Sequence, residues 1–259
     1  RNNLKDVSVK LPKQAMTVVT GVAGSGKSSL IHAGLKQVPN TIFIDQKPVH
    51  ASSRSNLLTY LNIFDDVRTY FSEITHLKKA MFSYNSEGAC PECHGKGIIK
   101  TELAFMPDFT QTCDLCHGKR YKPEVLEAKI KGYNIADILA LTVDEAISFF
   151  QEKKNIAQHL EALKSTGLNY MTLGQTLDTL SGGEIQLVKL SKYLTQTVHQ
   201  HTFVFDEPTT GLHEDDIPIL LNCFESLIYN NNTVVIIEHN LTMMTHADWI
   251  IDIGPFAGE

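Results

Sequence analysis

The sequence predicts an α/β fold, a parallel sheet covered by helices and interrupted by a large insertion, on three observations. A β-rich stretch ending at Val18, Val19 and Thr20 runs straight into a glycine-rich loop, Gly21 to Ser28, after which Ser29, Leu30 and Ile31 open a helix. Short β-branched or aromatic runs at Thr41–Ile44, Thr202–Phe205 and Thr233–Ile237 are bounded by polar turns, as strands buried on both faces are. From residue 47 to about 165 this rhythm stops, and four of the five cysteines fall there in two tight pairs.

Between the last two strands, Ile217, Leu220, Leu221, Phe224, Leu227 and Ile228 recur at helical spacing. Asp215 and Asp216 precede this run and Asn230 to Asn232 end it, which predicts a core-facing crossover helix carrying Cys223 as a small apolar residue. Inside the insertion, helices are predicted near 134–150 and 156–166, with turn-rich segments at 83–97 and 106–123. The expected organisation is a core of residues 1–46 and 166–259 with an inserted domain at 47–165, whose cysteine module spans 90–120.

A chain of 259 residues is long enough to bury a substantial core. Its net charge of −6 argues against a simple basic nucleic-acid binder. The charge is uneven, however: residues 47–131 hold 12 Lys or Arg against 10 Asp or Glu, leaving 11 against 19 elsewhere. The near-neutral middle is consistent with an anionic partner, or with ordinary variation in solvated charge. No apolar run approaches the roughly 20 residues of a membrane span, and no signal-peptide core is present, so a cytoplasmic protein is expected. The abrupt start at Arg1 and stop at Glu259 suggest a piece of a longer chain.

The pattern Gly21-x-x-x-x-Gly26-Lys27-Ser28 points to phosphate binding for mechanical reasons. Gly21, Gly24 and Gly26 let backbone N–H groups close around phosphates, Lys27 reaches the outer phosphate oxygens, and the Ser28 hydroxyl, followed by Ser29, binds Mg²⁺. Asp206 at the end of a strand is placed to hold Mg²⁺, and Glu207 to orient or deprotonate an attacking water. The Ser181-Gly182-Gly183 turn, with Glu184 after it, opens a helix and offers free N–H groups and a positive dipole end to a γ-phosphate. His239 and Gln46 each follow a strand and can reach the γ-phosphate and the Mg²⁺ or water respectively. Together they describe ATP hydrolysis.

Cys90-x-x-Cys93 and Cys113-x-x-Cys116 stand 19 residues apart, a spacing suited to one tetrahedral Zn²⁺ site. Gly95, Gly97 and Gly118 supply the tight knuckles in which backbone N–H groups bond sulfur. Two other readings stay open. His94 and His117 complete C-x-x-C-H patterns as in covalent haem attachment, and paired cysteines can be redox-active.

The order Lys27, Gln46, Ser181, Asp206, Glu207, His239 is similar to that of the ABC family of ATPases, and the chain resembles the C-terminal half of the UvrA family within it. The resemblance rests on Thr20 to Ser29, Ile44-Asp45-Gln46, Arg54-Ser55-Asn56, Phe64-Asp65-Asp66, Cys116 to Tyr121, Thr172 to Gln175, Asp206 to His213 and Ile237 to Asn240. It implies an ABC-type P-loop ATPase domain whose insert is a signature domain with a Cys₄ zinc module. It also implies a composite ATP site shared with another ABC half, a second copy as partner, DNA as the substrate surface, and other excision-repair subunits. Ile185-Gln186-Leu187 departs from the family, which carries an arginine where Leu187 stands, and Thr195 to Gln200 is less basic than usual. The departures leave a UvrA-like paralogue serving drug tolerance as an alternative. A transporter ATPase subunit would lack the cysteine-bearing insert, and a chaperone-type zinc knuckle would lack the phosphate loop.

Overall fold

The computed structural model describes residues 7–47, 55–101, 109–196 and 198–254. Arg54 and Thr197 thus lie outside the described residues. Two compact units are present: Arg1–Val49, Glu161–Asn169 and Leu180–Glu259 make one, and His50–Leu160 with Tyr170–Thr179 the other. In chain order the strands are β1 (Met16–Thr20), β2 (Thr41–Ile44), β3 (Ile98–Thr101), β4 (Phe109–Thr112), β5 (Thr202–Asp206), β6 (Thr233–Ile237) and β7 (Trp249–Asp252). The helices are α1 (Lys27–Leu35), α2 (Leu57–Tyr60), α3 (Phe64–Thr75), α4 (Pro123–Glu127), α5 (Ile135–Ala140), α6 (Val143–Phe149), α7 (Lys154–Ser165), α8 (Gly182–Leu194), α9 (Ile217–Tyr229) and α10 (Leu241–Thr245).

The first unit is built on a five-stranded sheet of order β2-β5-β6-β1-β7, parallel throughout. All five residues of β6 are buried, which is why Thr233–Ile237 reads as a continuous β-branched run instead of an alternating one. Val19, Val204, Val235 and Ile237 pack with Ile31 and Leu35 of α1 in one apolar cluster. Side chains alternate along a strand, so Phe205 faces the other way and meets Phe224 of α9, ring centroids 4.6 Å apart. The expected crossover helix is present, with proline in its first turn and the buried Asn232 closing its end by donating to the Val198, Leu227 and Asn230 carbonyls. Cys223 is buried on α9 and donates to the Ser165 carbonyl; burial pushes its thiol up to about 12, so it is an inert core group. β7 was not expected: its run Trp249-Ile250-Ile251 is only three residues long and lies on an edge strand, with Trp249 and Ile250 exposed.

The second unit has an aromatic core, with Phe71 against Phe82 at 5.2 Å, Tyr84 against Tyr121 at 5.7 Å and Tyr70 against Phe150 at 6.2 Å. The single helix predicted near 134–150 is two helices, α5 and α6. Thr142 starts a fresh capping box, accepting from the Glu145 N–H while the Glu145 carboxylate accepts from the Thr142 N–H. At the same place the Leu139 and Leu141 carbonyls accept from the Gly174 and Leu173 N–H groups, and the Val143 N–H donates to Met171. This ladder to residues 171–174 competes with, and replaces, one turn of helix. Among the described residues no helix is long and apolar enough to cross a membrane.

Candidate active site and metal centre

Parallel register sets the site. Ile44 pairs with Phe205, Asp206 with Ile237, and Ile237 with Val19, so the loops after β2, β5, β6 and β1 leave from one edge of the sheet. Gln46, Glu207, His239 and the loop from Gly21 all belong to that edge, where open α/β sheets bind ligands.

Gly21 has a φ of 131°, and a Cβ there would sit 2.0 Å from the Ile253 carbonyl oxygen. No side chain fits. Lys27 is buried at the start of α1, and its ammonium donates to the Gly21 and Val22 carbonyls at 2.7 and 3.0 Å. The loop thus curls around the amine, while Gly24 and Gly26 take the positive φ values of 77° and 99°. The Ser25 hydroxyl oxygen is buried with no hydrogen-bond partner among the described residues, a group that suits an oxygen-rich ligand in the loop. Ser28 Oγ donates to Asp206 Oδ1 at 3.4 Å, bringing the two expected Mg²⁺ ligands together, and Ser29 is exposed on α1. His32, one turn further on, was missed by sequence reasoning: its Nε2 lies 4.0 Å from Asp206 Oδ2, and its ring stacks on Phe43. Only the fold reveals that neighbourhood.

Glu207 is exposed and has a φ of 48°, a left-handed conformation uncommon for a residue with a Cβ. Its N–H donates to Ile237, and its carbonyl accepts from Gln46 Nε2 at 2.9 Å. The His239 ring is exposed and makes no hydrogen bond among the described residues, whereas its N–H donates to Glu238 Oε2 at 2.6 Å.

Ser181 caps α8 by accepting from the Glu184 N–H at 3.2 Å, and Glu184 Oε2 returns the bond to the Ser181 N–H at 2.8 Å. The capping box occupies those two donors and leaves the Gly182 and Gly183 N–H groups without an intrahelical partner. A Cβ on Gly182 would lie 3.0 Å from Gln46 Oε1, and one on Gly183 would lie 3.1 Å from the Thr210 carbonyl. The signature turn therefore sits against Gln46 and the loop after Glu207 of its own unit, and none of the atoms nearest those two positions belongs to the phosphate loop.

Further along α8, Gln186 donates to the Asp206 carbonyl at 2.9 Å, and Lys189 donates to both the carbonyl and the carboxylate of Asp45 at 2.8 Å. Partial burial raises the Asp45 carboxyl, but the hydrogen bond and charge of Lys189 and the nearby Lys47 outweigh it and hold the group below the usual carboxylate range. Leu187, where the family carries arginine, is buried, so an apolar side chain there is satisfied by packing.

In the second unit, Cys90, Cys93, Cys113 and Cys116 are all buried and free, and their sulfurs lie within 4.8 Å of one another. Sγ–Sγ separations are 3.8 Å for Cys90–Cys113 and 3.6 Å for Cys93–Cys116. Four sulfurs around a tetrahedral ion at about 2.3 Å would stand about 3.8 Å apart, so the donor set fits one divalent ion. The knuckles repeat each other in backbone as well as sequence: His94, Gly95 and Gly97 have φ of 51°, 77° and 77°, and His117, Gly118 and Arg120 have 48°, 79° and 71°. In the first, the Gly97 N–H donates to Cys93 Sγ at 3.2 Å. Burial, with the neighbouring sulfurs, pushes the Cys116 thiol up to about 12, although an Arg120 N–H bond opposes it; a cation is what would turn such a thiol into a thiolate. His94 and His117 are exposed and contribute nothing to the cluster, which disfavours the two haem-attachment patterns.

Residues 4–210 match the family described as ABC transporter. The chain belongs to this family of ATP-binding cassettes. It is 46% identical over 289 aligned residues to UvrABC system protein A of Staphylococcus aureus, a match covering all of this chain and 30% of that protein. The Staphylococcus epidermidis protein of the same name is 45% identical, with 31% of its length covered. The crystal structure of UvrA2 from Deinococcus radiodurans superposes with a TM-score of 0.88 at 40% identity, over the whole chain and 35% of that one. A metal-chelate type ABC transporter in an inward-facing conformation aligns at TM-score 0.50 and 16% identity, which reflects the shared fold alone. The UvrA resemblance read from the motifs thus holds along the whole chain, which spans about a third of the length of these relatives.

The two loop glycines separate steric from conformational cost. We expect Gly21→Ala to lose at least about 3 kcal/mol, because backbone at Ile253 must move. Gly24→Ala has open space and should lose only the about 1–2 kcal/mol of its positive φ. Urea denaturation of the purified chain measures both, and equal losses would mean that the Ile253 backbone yields freely.

Proposed function

We propose that this cassette is the C-terminal ABC half of a UvrA-type protein, which hydrolyses ATP to control DNA binding in nucleotide excision repair. The observation that carries the reading is the convergence of Lys27, Ser28, Asp206, Glu207 and His239 on one sheet edge, in a chain 46% identical throughout to UvrABC system protein A. Lys27 would bind the outer phosphates, with Gly21, Gly24 and Gly26 exposing loop N–H groups. Ser28, Asp206 and Gln46 would hold Mg²⁺, which when bound neutralises phosphate charge. Glu207 would orient and deprotonate water, and His239 would contact the γ-phosphate. The ATPase core is assigned to residues 1–46 and 166–259, less Tyr170–Thr179, which belongs to the second unit, and the inserted signature domain to 47–165.

Ser181, Gly182 and Gly183 would serve a γ-phosphate held by a different ABC half, since the atoms nearest their own glycines come from Gln46, Thr210 and Leu212. Partners are accordingly the other half of the same protein, a second copy and other excision-repair subunits, in the cytoplasm with DNA. The isolated chain should bind nucleotide but turn over at least about 100-fold slower than the complete protein, because it lacks the opposing donors. In the complete protein Glu207→Gln should keep ATP bound without cleavage, while Lys27→Ala should weaken binding itself. Steady-state turnover and nucleotide-binding titrations check this; a strictly monomeric chain matching the complete protein would sink the shared site.

The four cysteines are assigned to one zinc ion, whose binding stands in for an apolar core in a short polar segment. Metal analysis of protein purified without chelator should find about one equivalent, and less than half would reject the assignment. Chelation should loosen the cysteine-bearing segment, visible as faster amide exchange.

DNA is assigned to the cysteine-bearing face. Lys96, Lys100 and Lys119 are exposed there, and Arg120 and Lys122 are half-buried. Lys119 pairs with Asp137 at 3.3 Å, and the Arg120 guanidinium lies 5.2 Å from the Tyr84 ring centroid, so both heads are pre-positioned. Alanine at all five should weaken binding irrespective of sequence and lower the salt slope, by about 0.9 per lost phosphate contact. An unchanged affinity and slope would move the DNA face elsewhere.

A further inference from the structure

Glu238 lies between the strand end and His239, is 4% exposed, and belongs to none of the described ion pairs. A buried carboxylate without a cation is costly unless hydrogen bonds to its charged form hold it. Three do. Oε1 accepts from the Thr209 N–H at 3.2 Å and from the Thr209 hydroxyl in a short contact, and Oε2 accepts from the His239 N–H.

These donors tie together two segments that the sheet brings side by side. Thr209 stands two residues after Glu207, in a loop closed by the Thr210 N–H on the Glu207 carbonyl at 3.1 Å. Glu207 itself has a left-handed φ of 48°, a conformation that persists only where its surroundings enforce it. The other end of the carboxylate fixes the peptide that carries the His239 ring. Only an acceptor-only group serves both ends. A glutamine there would turn its NH₂ toward either the Thr209 or the His239 N–H, and neither backbone donor can reverse.

We propose that Glu238 is a positioning residue for ATP cleavage: its carboxylate clamps the loop after Glu207 to the peptide of His239, fixing the spacing between the two groups. The inference rests on the roles proposed above for Glu207 and His239. A displacement of the order of 1 Å in such a pair costs about 100-fold in rate while leaving phosphate binding by Lys27 intact.

The test is single-turnover ATP hydrolysis and nucleotide titration in the complete protein. Glu207→Gln and His239→Ala should each abolish most of the rate; if either hydrolyses as wild type, the reading of the site fails, and this inference with it. Given those losses, Glu238→Gln should slow cleavage about 10–100-fold, with nucleotide affinity and binding stoichiometry unchanged within about twofold. The double variant Glu238→Gln/His239→Ala should be no slower than His239→Ala alone, because both changes remove one function. Should Glu238→Gln fail to fold, Thr209→Val carries the test: it removes a single hydroxyl donor and should slow cleavage about tenfold, and Thr209→Ser, which returns the hydroxyl, should recover the rate. Wild-type cleavage in Glu238→Gln or in Thr209→Val, a rate loss matched by lost binding stoichiometry, or multiplicative losses in the double variant would overturn the clamp alone.

Discussion

Strand β6 is buried along its whole length and hydrogen-bonds to β5 on one side and β1 on the other. Its neighbours carry the acid pair and the phosphate loop at their ends, so the residues that follow β6 emerge between the two. The Glu207 N–H reaches back to Ile237, and the Glu238 N–H reaches across to Val19. Backbone bonding of this kind is indifferent to side-chain identity but strict about register. A slip of one residue along β6 would exchange its two buried faces and carry His239 away from Glu207. Two-sided burial of Val234, Val235, Ile236 and Ile237 makes that register costly to leave, and the packing of α1 and α9 on the two faces is thus what keeps the site assembled.

Several residues at the site carry two obligations at once. Gly182 must leave its N–H group accessible and must also leave room for Gln46, whose amide oxygen would stand 3.0 Å from any Cβ there. Gln46 in turn donates to the carbonyl of Glu207, and Lys189 holds the carbonyl and carboxylate of Asp45 just before it. The signature helix therefore meets the loop that carries Gln46 at two points, by close packing in its first turn and by the hydrogen bonds of Lys189 in its third.

The elements and site groups legible in the sequence were those whose signal is local. The phosphate loop, the signature cap and the cysteine knuckles each lie within about ten residues, and their glycines and spacing report the backbone directly. β5 and β6 announced themselves because burial on both faces leaves an unbroken apolar run. The groups that escaped are defined by tertiary partners. β7 pairs along one side only, with its outer side chains in water. The break between α5 and α6 is decided by a ladder to residues 171–174, and no helical periodicity contains that information. Glu238 stands in the stretch Ile237 to Asn240, but an acid after a strand shows nothing of the three donors around it.

The two units solve the stability problem by different means. The sheet unit relies on aliphatic burial between layers, with Val19, Val204, Val235 and Ile237 meeting α1. Among its described residues, the cysteine-bearing segment shows a different make-up: its knuckles are turns with positive φ, its hairpin β3–β4 is largely exposed, and a cluster of four thiols has Ile99 beside it. Sulfur packing alone gives such a segment little resistance to unfolding, and burial pushes the Cys116 thiol up. A divalent ion bound there would reverse both terms at once, supplying ligand bonds and stabilising thiolates. The same substitution would free the surface of the segment from any duty to bury itself, so Lys96, Lys100 and Lys119 could stay on the outside. Under the proposed assignments, that division, with order from the metal and charge at the surface, would let a near-neutral insert in an acidic chain present cations to a polyanion.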